Sequence, residues 1–229
     1  MRANLGNLHL CLMLALTFST GVIDAVGYLG LDRVFTGNMT GNVVILGMAL
    51  TGAANLPIIG PIIALAGFLL GAALAGRVLR PIKSGWTTRS TALLTVVAVL
   101  ISACAIASLV FTAPYPEGLT YPVTGVLGLA MGTQAGAARH IAIKDVTTVV
   151  VTSTIVGFAF DSWLGGGGGQ PWKRRLGAIV LIGAGAGVGA LALNVHLGVG
   201  MAISAVITIV VAILGHIGGG PEPTKSVAL

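Results

Sequence analysis

The stretch Val34-Phe35-Thr36-Gly37-Asn38-Met39-Thr40-Gly41-Asn42 decides how this chain is read. It opens an apolar segment, 34–51, yet it is too polar and too rich in glycine to face lipid as a regular helix. A second segment, 146–163, opens on Val146-Thr147-Thr148-Val149-Val150-Val151-Thr152-Ser153-Thr154, a run of β-branched and hydroxyl residues. Around these two lie six longer apolar runs, at 9–31, 57–77, 91–112, 120–141, 176–194 and 198–217. A spanning helix needs about 20 apolar residues. Irregular backbone at membrane depth is tolerated only where protein or a wet cavity satisfies its polar groups. The pattern therefore predicts an all-α membrane protein: six transmembrane helices plus two short broken or re-entrant segments.

Composition supports this. Of 229 residues 55% are hydrophobic and 8% charged, and the mean hydropathy is +1.01. A soluble domain carries about 25% charged residues, so one buried core with a wetted surface is excluded. The net charge of +6 does not point to nucleic acid, because the basic residues sit between apolar runs and form no basic face interleaved with aromatics. Cys11 and Cys104 lie within apolar runs, as small packing residues, and suggest neither a metal site nor a disulfide. The first run resembles a signal peptide, but its length, Asp24 and the lack of a small-residue cleavage site favour a retained first helix.

Charge placement sets the expected topology. If the two odd segments return to the side they entered from, eleven of the twelve Lys and Arg residues fall on one side, and Arg33 alone falls on the other. Basic loops are cytoplasmic, so both termini are expected in the cytoplasm. Full crossing by all eight segments would place Lys173-Arg174-Arg175 outside.

The two halves, 1–113 and 114–229, look like repeats within one membrane domain. Thr36 and Thr40 stand 112 residues before Thr148 and Thr152, and each odd segment follows one long run and precedes two more. Gly67-x-x-x-Gly71 and Gly183-x-x-x-Gly187 are candidate helix-packing faces, within the chain or between two copies. Three crossings per half make the repeats inverted, a plan that recurs in transporters.

Phe18-Ser19-Thr20-Gly21-Val22-Ile23-Asp24-Ala25, followed by the 34–42 stretch, resembles the YoaK family of small bacterial membrane proteins, a group of unknown function. Gly132-Thr133-Gln134 and the run from Val146 to Gly157 fit its second half, although Thr152-Ser153-Thr154 stands where the family more often has Thr-Gly. The resemblance implies a bacterial inner-membrane protein and supplies no substrate.

Asp24 is the sharpest candidate site residue. It lies roughly 10 Å from the end of its helix at 1.5 Å per residue, where a carboxylate costs on the order of 3 kcal/mol and needs a partner, a cavity or a proton. It is either a proton- or ion-coupling group or a clamp on segment two. Asn38 and Asn42 either line a polar path or cap a half-helix beside Gly37 and Gly41. Thr36, Thr40, Thr148, Thr152 and Thr154 are candidate path residues, as is Gln134, although threonine in a membrane helix often bonds its own backbone. No metalloprotease, nucleophile-elbow or paired-aspartate signature appears, so no catalytic residue, cofactor or metal is expected. The leading expectation is a transporter or channel for a small polar solute, with Asp24 as the candidate for proton coupling. The alternative is a non-transporting scaffold or accessory subunit.

Overall fold

The computed structural model describes residues 2–53, 55–113, 115–141, 151–168 and 171–218. Helices account for nearly all of them: α1 (Arg2–Gly30), α2 (Met39–Leu50), α3 (Ile59–Leu79), α4 (Thr88–Leu109), α5 (Glu117–Ile141), α6 (Val151–Phe160), α7 (Trp172–Leu193) and α8 (Leu197–Gly218), with one 3-10 turn at Trp163–Gly165. No strand occurs among the described residues. Six helices are long and two, α2 and α6, are short, at the two odd stretches of the sequence.

Five helices are long and apolar enough to cross a membrane: α1, α3, α4, α7 and α8. α5 is as long as these but more polar, carrying Glu117, Thr120, Thr124, Thr133, Gln134 and Arg139. Its location explains why it can be. Most of its residues are buried against α3 and α4, Thr120, Thr124, Thr133 and Gln134 among them, while Glu117 and Arg139 are exposed near its two ends.

Glycine sets the closest helix contacts. A Cβ on Gly21 of α1 would lie within 3.0 Å of the Ile182 carbonyl oxygen, and one on Gly185 of α7 within 3.0 Å of the Phe18 carbonyl oxygen. The same reciprocal arrangement joins α5 to α3, with Gly132 against the Phe68 carbonyl and Gly71 against that of Leu129. Only hydrogen fits at these four positions, which lets backbones approach as small residues do in membrane bundles. Both pairs run parallel: Gly189 follows Gly185 along α7 as Val22 follows Phe18 along α1, and Gly67 meets Gly125 where Gly71 meets Leu129. α4 and α8 pack antiparallel, with Gly198 beside Ala105 and Gly215 under the Trp86 ring.

These contacts define two ends. At one end sit the start of α1 (Leu8 beside Gly218), Trp86, the end of α5, where His140 bonds the Lys83 carbonyl at 3.0 Å, and the end of α8. At the other end, the His196 ring bonds the Phe111 carbonyl at 2.8 Å and accepts from the Gly198 N–H at 3.1 Å, while the Leu197 N–H reaches the Tyr115 hydroxyl at 3.4 Å. α1 finishes at this second end. α3 begins there too, because Gly60 lies against Val34 and Asp32. The segment between α1 and α3 thus leaves and returns at the same end, and α5 ends and α7, parallel to α1, begins at the opposite end.

The interior is layered along the helix axes. One apolar cluster includes Val22, Val26, Ile101, Leu127, Met131 and Met201. The other includes Leu12, Leu16, Leu79, Trp86, Leu94 and Val211. Between the two, at mid-length, lie buried Thr17, Ser19 and Thr20 on α1, Thr133 and Gln134 on α5, and Ser204 and Thr208 on α8.

Candidate functional site

The site is built around the loop that joins α1 to α2. α1 ends at Gly30, and Arg33 takes a φ of 49°, turning the chain back toward the bundle. The loop runs inward until Gly37 lies between α1 and α5. A Cβ there would sit 3.0 Å from the Thr20 methyl, 3.3 Å from Asp24 Oδ1 and 3.3 Å from Met131 Cε. α2 then begins, with Asn38 as its N-cap: the side-chain oxygen accepts from the Gly41 N–H at 3.2 Å.

Asp24 holds the loop in place. Its Oδ1 accepts the backbone N–H groups of Gly37 at 2.7 Å, Thr36 at 3.0 Å and Asn38 at 3.4 Å. Away from water these donors need a partner, and a carboxylate at the start of a half-helix also meets the positive end of its dipole. Asn42 makes a second clasp one turn into α2. It accepts from the Phe35 N–H at 2.9 Å and donates to the Phe35 carbonyl at 2.5 Å, copying the paired bonds of a strand. Tyr28 stacks on Phe35 with ring centroids 4.8 Å apart, closing the loop on the α1 side.

Thr20 connects this loop to α5. Its hydroxyl donates to the Leu16 carbonyl at 2.9 Å, so toward Gln134 it can only accept, and it receives the Gln134 amide N–H at 3.1 Å. With its N–H on Thr20, the Gln134 amide turns Oε1 the other way. Gln134 is fully buried and Oε1 has no hydrogen-bond partner; the same holds for Thr36 and its Oγ1. The other hydroxyls of the middle layer are satisfied within the bundle. Ser19 and Ser204 share a 2.6 Å bond, Thr17 bonds the Met13 carbonyl at 3.0 Å, Thr133 that of Leu129 at 2.8 Å, and Thr208 that of Ser204 at 2.8 Å.

Of the residues singled out from the sequence, Asp24, Thr36, Asn38 and Asn42 meet at the loop, and Gln134 joins them through Thr20. Thr40 is exposed in the first turn of α2. Thr152 is exposed and Thr154 buried on α6, which packs on α7 rather than on the loop. Thr148 lies outside the described residues. Gly67 and Gly71 pack against α5, whereas a Cβ on Gly183 or Gly187 would meet nothing within 4 Å. On α7 the close approach belongs instead to Gly185 and Gly189.

Two residues gained roles that sequence reasoning missed. Thr20 was unremarkable as one hydroxyl among many; its spacing of four from Asp24, which puts both on one helix face, was the available signal. Sequence alone places Arg175 in the basic cluster Lys173-Arg174-Arg175 that marks topology. Instead it is buried, bonding the Gly157 carbonyl at 2.6 Å and Asp161 at 2.7 Å, and so closes the end of α6. No group of three or more His, Cys, Asp or Glu side chains among the described residues is arranged to hold a metal. A cavity of about 350 Å³ opens at the Tyr115 end, lined by Leu29, Leu31, Tyr115, Thr120 and Leu193, and none of the middle-layer residues line it. Nearby, burial and the charge of Glu117 push the Asp32 carboxyl above the usual carboxylate range, against the opposing pull of Arg33.

Residues 12–214 match the profile of a family described as "Protein of unknown function (DUF1275)". The chain belongs to this family. The DUF1275 chain is also similar to the "UPF0700 transmembrane protein YoaK" of Bacillus subtilis (strain 168), with 29% identity over 151 residues. That match covers 66% of this chain and 65% of the relative, just under two thirds of its length. The resemblance seen in the 18–25 and 34–42 stretches is thereby borne out, and the DUF1275 chain is a multi-pass membrane protein. No solved structure matches it.

Proposed function

We propose that this DUF1275 protein is a transporter or channel for a small polar solute, formed by two inverted repeats, 1–113 and 114–229, with six crossings and two re-entrant segments. The observation that carries this reading is the meeting of the α1–α2 loop with the polar middle layer: loop backbone N–H groups held by Asp24 lie beside Thr20, which in turn holds Gln134 with its unpartnered oxygen. Broken helices that end near the middle of a bundle supply the groups that bind solute in inverted-repeat transporters.

The packing supports the repeat. Exchanging α1 with α5, α2 with α6, α3 with α7 and α4 with α8 turns each packed helix pair into another packed pair. It also turns the Gly21–Gly185 contact into the Gly132–Gly71 contact. α1 and α5 start at opposite ends, as inversion requires. The clustering of Arg77, Arg80, Lys83, Arg89, Arg139, Lys173 and Arg174 toward one end supports a cytoplasmic location for that end and for both termini in a bacterial inner membrane. No catalytic role is proposed, and Gly183 and Gly187 leave room on α7 for a second copy of the chain.

A scaffold role is the second reading. The commitment of Asp24 to three loop N–H groups favours it, because such a clamp needs no solute. Thiol accessibility separates the two. In a chain with Cys11→Ser and Cys104→Ala, a cysteine at Thr36 reacts with a small water-soluble thiol reagent in proteoliposomes if solute reaches the site. A dry scaffold leaves it unreactive from both sides. Uptake of labelled polar solutes into the same vesicles, above that of empty ones, completes the test.

A further inference from the structure

Gln134 stands apart from the rest of the middle layer. Each hydroxyl beside it hands its proton to a backbone carbonyl or to a neighbouring serine, whereas Gln134 Oε1, fully buried, receives no donor. Thr20 donates to the Leu16 carbonyl and accepts the Gln134 N–H, which leaves Oε1 as the free end of the amide. A buried acceptor without a donor is costly, and a leucine would fill much the same volume without that cost.

The surroundings define what the oxygen can read. The charged group one helical turn from Thr20 is the Asp24 carboxylate, and the middle layer contains no Lys, Arg or His among the described residues. The unpartnered atom, Gln134 Oε1, is an acceptor that cannot donate. Gly37 fills the wedge between α1 and α5 beside the Thr20 and Met131 methyl groups, so the loop tip covers Thr20, the residue that holds the Gln134 amide. An anion would meet acceptors and a carboxylate there; a cation with N–H donors would meet complementary groups.

We propose that Gln134 is the specificity-determining residue of this site and that the site takes a small monocation bearing N–H donors, of the ammonium type. This rests on the transport reading only for the purpose of the site, not for the binding itself. The probe is methylammonium chloride, with tetramethylammonium chloride as a cation of equal charge lacking donors and sodium formate as the anion, all at equal ionic strength.

The purified full chain in detergent is expected to gain about 2–4 °C in melting temperature with saturating methylammonium, and nothing with the other two salts. Gln134→Leu is expected to fold, with an unfolding transition as sharp as the wild type's, and to lose that gain. Equal shifts for both cations, a shift with formate, a gain retained in Gln134→Leu, or no methylammonium shift in the wild type would each overturn the proposal. Uptake of labelled methylammonium into proteoliposomes separates the two levels. A shift without uptake leaves the binding inference standing and counts against transport; uptake that Gln134→Leu leaves unchanged overturns the inference and leaves transport standing.

Discussion

Replacing Asp24 tests whether its carboxylate is a clamp or a coupling group. Its Oδ1 accepts the Gly37 N–H at 2.7 Å and the Thr36 N–H at 3.0 Å, while the 3.4 Å bond from Asn38 is long enough to be left out of the reckoning. In Asp24→Ala two buried donors lose their partner. At roughly 1–3 kcal/mol for each unmet buried group, the loss is about 2–6 kcal/mol. Asp24→Asn keeps an acceptor oxygen but no charge; charge-assisted bonds are about twice as strong as neutral ones, so the expected loss is about 1–3 kcal/mol. For a chain of this size each kcal/mol shifts the melting temperature by about 2–4 °C. Thermal unfolding of the purified protein in detergent measures the order wild type, Asn, Ala. Amide hydrogen exchange localises it, with faster exchange at Thr36 and Gly37 in both variants. If both variants melt within about 1 °C of the wild type, or if exchange at the two amides is unchanged, the clamp is refuted. A stable Asp24→Asn variant that has lost only pH-dependent uptake would assign Asp24 to proton coupling instead.

The glycine faces of α7 give a paired test. Gly185→Ala drives a methyl into the Phe18 carbonyl and should cost about 1–3 kcal/mol or more; Gly187→Ala, with open space around it, should stay within about 1 kcal/mol of the wild type and stabilise the helix if anything. Both are read by melting temperature, and equal losses would show that the helix register is wrong. Arg175→Gln removes the bonds to the Gly157 carbonyl and to Asp161, and because Asp161 is 45% exposed that ion pair is discounted for solvent. A loss of about 1–3 kcal/mol is expected, with protease sensitivity rising around 157–168; a variant as stable and protected as the wild type would mean that α6 is held by other contacts.

Much of the fold was legible because the alternation of long apolar runs and short polar ones follows directly from what lipid permits. The α1–α2 loop was legible for the same reason: Thr36-Gly37-Asn38 has no business on a lipid-facing helix, and an intramembrane Asp24 needs a partner nearby. The register of the glycine faces was not. In Gly183-Ala184-Gly185-Ala186-Gly187-Val188-Gly189 a step of two residues turns a helix by about 200°, so Gly183 and Gly187 lie opposite Gly185 and Gly189, and only the position of α1 decides which face is packed. α5 was harder still. The sequence expects it as one of six spans, yet it is more polar than the five apolar ones because most of it is buried by α3 and α4, information that resides in tertiary contacts. Arg175 could not be told from Lys173 and Arg174 by sequence, since its inward turn depends on where α6 ends.

The chain between α1 and α3 either returns to the side it entered from or crosses the membrane. Single cysteines at Asp32, Asn55 and Lys83, in a chain with Cys11→Ser and Cys104→Ala, report this with a membrane-impermeant thiol reagent applied to intact cells. Because Asp32 and the start of α3 lie at the same end of the bundle and Lys83 at the other, labelling at 32 and 55 with protection at 83 is predicted. Labelling at 32 with protection at 55 would make the short segment a full crossing and would contradict both the re-entrant loop and the inverted repeat built on it.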